Sequence, residues 1–159
     1  MNKELESITR HLDNVFKGDP WYGRPVLPVL EEIKDCDVFK APYKGGHSLI
    51  ELLYHTLNWT NYVLKSVEKD PKQDIHYFLQ HDWITIVPGT HTWAKGLKAL
   101  KQSQKELVAA LQQKDDDLLT EMVDGRKFNH RVMLYGLADH YIYHAGQIVY
   151  VKKWLEASQ

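Results

Sequence analysis

A single cysteine, Cys36, stands in a chain of 159 residues. One thiol excludes an intrachain disulfide and any zinc site built on cysteine. No paired base marks Cys36 as a nucleophile, so it is read as incidental. Charge of one sign is not in excess either: 20 Lys and Arg face 21 Asp and Glu, a formal net charge of −1. Binding nucleic acid through its phosphates needs a concentrated basic surface, and this balance argues against it. No apolar run approaches the ~20 residues that span a bilayer, so no membrane association is expected. The opening residues 1–12 lack the apolar centre of a secretory signal and read as the start of an amphipathic helix, which makes a cytoplasmic protein the expectation. Internal repeats, low-complexity segments and strand-like alternation are also missing. At this length one good core forms and two do not, so residues 1–159 are expected to make one domain.

Helical periodicity is what the chain has instead. Residues 2–17 put Leu5, Ile8 and Leu12 on one face, and Gly18-Asp19-Pro20 stops them. Pro25 opens a short helix over 26–35. Ser48 and Glu51, at capping-box spacing, open a long helix over 48–68 that Asp70-Pro71 ends. Residues 74–84 read as a short helix and then a loop. A third long helix covers 91–114, with Trp93, Leu97, Leu100, Leu107 and Leu111 inward and the Lys/Gln-rich stretch 95–105 as a solvated face. Residues 118–123 make one or two helical turns, and Asn129 caps a last long helix over 130–156. The expected fold is all-α, an antiparallel four-helix bundle with short accessory helices, and such bundles place metal sites in their interior.

Nine histidines are many for this length. Two of them, His140 and His144, are four apart on the last helix and share the side that carries Met133, Leu137, Gln147, Ile148, Val151 and Leu155. Both imidazoles therefore aim inward, where an unpartnered ring is expensive. His55 lies beside Leu52 and Trp59 at the margin of the apolar arc of helix 48–68, within reach of a neighbouring helix. Three imidazoles from two helices leave coordination positions open, as in a catalytic metal site. Periodicity leaves a second reading open, in which these are hydrogen-bonded core histidines. His11, His76, His81, His91 and His130 read as surface, cap or core residues; His130 is about 15 Å along the axis from His140, too far to share an ion.

Two strings resemble a known family. Residues 46–59, Gly46-His47-Ser48 through His55 to Asn58-Trp59, are similar to the first signature of the DinB-like (damage-inducible) superfamily of metal-dependent enzymes. Residues 139–148 resemble its second, the H-x-x-x-H-x-G-Q-[IV] box from His140 to Ile148. Weaker similarity extends to Trp21-Tyr22-Gly23 and Asp82-Trp83. The resemblance implies a four-helix bundle holding a divalent metal, zinc or nickel, on His55, His140 and His144. It also implies a homodimer.

Around these ligands, Glu51 either orients an imidazole or caps its helix with Ser48, the simpler role. Gln147 either bonds the site or ties two helices together. Tyr141 either lines a pocket or packs as an aromatic, and Gly146 is read as a close-approach position. Three neutral imidazoles leave the ion its charge, which lowers the pKa of water or of a thiol. Two enzyme readings follow for a small-molecule substrate: a hydrolase, or a transferase that uses a low-molecular-weight thiol cosubstrate, as in the thiol S-transferase branch that the chain resembles. The alternative is a non-catalytic metal- or ligand-binding stress-response bundle. No general base or nucleophile carries a specific signal.

Overall fold

The computed structural model describes residues 3–33, 37–70 and 74–158. Cys36, Pro71 and the expected end of the short helix at 34–35 lie outside the described residues. Among these residues six α-helices follow in order: α1 Lys3–Lys17, α2 Val26–Glu31, α3 Leu49–Glu68, α4 Ile75–Gln80, α5 Trp93–Leu111 and α6 His130–Ala157, with a 3₁₀ turn at Asp116–Thr120 before α6. No strand forms among the described residues. α2 stops at Glu31, short of the expected 35.

Local chemistry sets the helix ends. Ser48 and Glu51 make the full capping box: the Ser48 amide donates to Glu51 Oε2 (2.7 Å), and the Ser48 hydroxyl accepts from the Glu51 amide. Lys69, left-handed at φ 56°, closes α3. Thr92 caps α5, and the Asn129 side chain accepts from the Val132 amide at 3.2 Å to start α6.

Contacts between side chains fix how the long helices run. His55 meets His140 while Ser66 meets His130, so α3 and α6 are antiparallel. α1 and α5 are antiparallel too, since Leu5 shares a groove with Leu111 and Phe16 shares one with Leu97. α3 and α5 run parallel: Leu53 and Tyr54 lie against Gly96, and Ser103 donates to Asn61 Oδ1 at 2.6 Å. α1 and α6 are parallel as well, with Arg131 on Glu4 (2.6 Å) and Tyr141 on Phe16. The bundle is thus up–down–down–up. The connection between α3 and α5, which carries α4, returns along the bundle before α5 starts.

The core between these helices is aliphatic, with Leu12, Leu53, Leu100, Leu107 and Leu134 fully buried. Two expectations are corrected here. The stretch 95–105 is not a solvated face throughout: Ser103 and Gln104 are buried, and Gln104 Oε1 accepts from the Tyr141 hydroxyl at 2.9 Å. A polar residue enters the core where it finds a buried partner. Gly146 is not a close-approach position, because a Cβ there would meet nothing within 4 Å. Gly96 is: a Cβ would come within 2.8 Å of Leu53 and Tyr54, so this glycine lets α3 and α5 approach.

Candidate metal centre

The antiparallel α3/α6 pair brings the three expected histidines to one point. His55 sits in the second turn of α3, and His140 and His144 occupy successive turns of α6. His140 Nε2 is 3.0 Å from His55 Nε2 and 3.0 Å from His144 Nε2. One nitrogen of each ring falls within 4.8 Å of the others. Two nitrogens bound to one ion at ~2.1 Å are at most ~4.2 Å apart, and both 3.0 Å separations from His140 lie inside that limit.

The opposite ring nitrogens show where the protons are. His55 Nδ1–H donates to the Asp82 main-chain carbonyl at 2.9 Å and lies 3.1 Å from its carboxylate. His144 Nδ1–H donates to Gln147 Oε1 at 2.6 Å. With those protons on Nδ1, both Nε2 atoms present lone pairs. His140 Nδ1 is buried without a partner among the described residues. A single proton on His140 Nε2 would satisfy one neighbour and leave the other facing it. The donor set therefore lacks a positive centre, and it fits a divalent cation held by neutral imidazoles.

Electrostatics keep the rings neutral. Burial, reinforced by repulsion from His144 and His55, pushes His140 down to about 3. Burial and repulsion from His55 bring His144 to about 4, against the Gln147 hydrogen bond. Burial also lowers His55, opposed by Asp82. At neutral pH all three are free bases, the form that binds metal.

Asp82 and Trp83 come from the loop after α4. The Asp82 carboxylate also accepts from Trp59 Nε1 at 2.6 Å, so one side chain braces α3 twice. The Trp83 ring stacks on His55 (centroids 4.1 Å apart, 11° between planes) and on His47 (3.5 Å, 6°). Periodicity could not find these roles because a loop has none; the only signal was the family resemblance at Asp82-Trp83.

The remaining expected residues separate. Gln147 contacts the cluster through His144. The Glu51 carboxylate bonds the Ser48 amide and hydroxyl, and among the described residues no hydrogen bond joins it to a histidine. Tyr141 is fully buried, bonded to Thr60 and Gln104, and does not line the histidine cleft. His130 bonds Ser66 and the Glu121 carbonyl away from the cluster.

The histidines open onto a cleft of about 590 Å³ walled by Trp59, Tyr62, Trp83, Phe128, Met133 and Leu137, among others. A groove of about 640 Å³ between α1 and α5 is slightly larger, but it is rimmed by lysines and contains no histidine. No helix among the described residues is long and apolar enough to cross a membrane. No curated protein and no solved structure matches the chain. A family model, described as the DinB superfamily, matches residues 24–148, a span that includes all three clustered histidines. The chain belongs to the DinB superfamily.

Proposed function

We propose that this protein is a metal-dependent enzyme that uses His55, His140 and His144 to hold one zinc or nickel ion at the floor of the α3/α6 cleft. The observation that carries this reading is the convergence of three Nε2 atoms, with the Nδ1 protons of His55 and His144 held elsewhere, at the base of an open cavity. A divalent ion there supplies Lewis acidity that brings the pKa of water or a thiol toward neutrality.

The chain's own residues do the rest. Asp82 and Gln147 hold two rings in the tautomer that leaves Nε2 free. Trp83 stacks on His55 and covers one face of its ring, and mostly apolar walls line the approach to the three histidines. The reaction is attack on a small electrophile, by water in a hydrolase or by a low-molecular-weight thiol in an S-transferase. A closed, non-catalytic metal bundle is disfavoured by the open cleft. The test is metal content of protein purified without chelator, for wild type and His144→Ala. Near-stoichiometric zinc or nickel that falls sharply in the variant supports the reading. Wild type that takes up neither ion on titration would sink it.

A further inference from the structure

The histidine cleft has a second polar end, which the reading above leaves unused. His55 and Tyr62 both line it from α3, and their seven-residue separation places them about 10 Å apart along the helix axis. On α6 the lining runs from His144 and His140 back to Met133 and Val132, with Phe128 and Arg126 in the segment before the helix. Because α3 and α6 are antiparallel, both helices order the cleft the same way: histidines at one end, Tyr62 and Arg126 at the other. Trp59, Val63, Met133 and Leu137 make the wall between apolar.

Two side-chain donors at the far end have no oxygen to bond among the described residues. Tyr62 is 2% exposed, and its hydroxyl is buried with no hydrogen-bond partner among the described residues. A buried hydroxyl left this way is unfavourable for folding alone. Arg126 lies over the Phe128 ring, 4.9 Å from its centroid, and makes no ion pair among the described residues. The exposed Asp124 acts on the Tyr62 hydroxyl through space but does not line the cleft. A planar fork of N–H donors at the same end of the cleft as a lone O–H donor, close enough for the Arg126 charge to act on Tyr62 through space, matches a carboxylate.

We propose that the cleft takes an elongated substrate with an apolar body and a terminal carboxylate, received by the Arg126 guanidinium and the Tyr62 hydroxyl. This rests on the reading that the histidines form the reactive end, and it makes Arg126 and Tyr62 the residues that decide which end of the substrate reaches them.

The test is calorimetric titration of octanoate, with octanol as the neutral probe, into protein stripped of metal so that the carboxylate has no ion to bind. Octanoate should bind wild type at least about tenfold tighter than octanol, the size of one charge-assisted contact. Arg126→Gln should remove that advantage and leave octanol binding unchanged. Arg126→Lys should restore part of it, and Tyr62→Phe should lose a smaller part. Octanoate binding no tighter than octanol, or unmoved by Arg126→Gln, overturns the proposal; in the second case the carboxylate sits elsewhere, as in the lysine-rimmed α1/α5 groove. Metal content, measured separately, tells the failure of the metal reading from the failure of this one.

Discussion

Each of two imidazoles in the cluster is oriented by a different acceptor, a loop aspartate for His55 and a helical glutamine for His144. Removing such an outer partner typically weakens metal binding ~10–100-fold while leaving the ligands in place. Gln147→Leu should therefore lower zinc affinity within that range in competition with a chromogenic chelator. Asp82→Ala should cost less than Gln147→Leu, because it removes the carboxylate but keeps the main-chain carbonyl that accepts the His55 proton. Asp82→Asn should lose less still, because an amide oxygen remains beside the His55 proton in addition to the main-chain carbonyl. Affinity unchanged in Gln147→Leu would mean that the short Nδ1 bond does not orient the ring. The three histidines were legible because i,i+4 spacing and an apolar arc carry their direction. Asp82 and Trp83 were not, because their approach depends on the path of a loop.

At the scale of the element, the start of α3 settles what Glu51 does. Its carboxylate closes the capping box on Ser48, the simpler of its two expected roles. Ser48→Ala should cost about 1 kcal/mol, the typical value of an N-cap. For a chain of this size that lowers Tm by roughly 2–4 °C in a calorimetric scan. Glu51→Ala should be destabilising in the same direction, and both variants should retain their metal. If Glu51→Ala lost the ion at unchanged fold, its carboxylate would be acting on His55 after all. Helix positions and caps were readable from periodicity and from Ser48, Asn129 and the breakers. The parallel run of α3 beside α5 was not, because helix direction follows the route of the connection and periodicity contains no record of that route.

Across the whole molecule, the neutral histidines couple stability to pH. In the unfolded chain an imidazole titrates near 6.5. In the folded protein His140 is held down at about 3 and His144 at about 4. Between those values the unfolded chain binds more protons, so metal-free stability rises with pH: this contribution is fully present above about 6.5 and is lost as pH falls toward 3. Urea melts of metal-free protein at pH 5 and 7.5 should show the lower pH to be less stable. His140→Gln should reduce that difference, whereas an identical difference in wild type and variant would count against burial as its source.

The hydropathy pattern alone determined that this chain is helical, where its long helices lie and which histidines face inward, because the local 3.6-residue repeat links residue identity to side-chain direction. Only the tertiary structure decided that α3 and α5 run side by side in parallel, that Gly96 and not Gly146 is the close approach, and that Asp82 and Trp83 complete the histidine cluster. Each of these depends on which elements meet across the bundle. Contacts between residues distant in sequence are chosen by packing and connection path, and no local repeat encodes them.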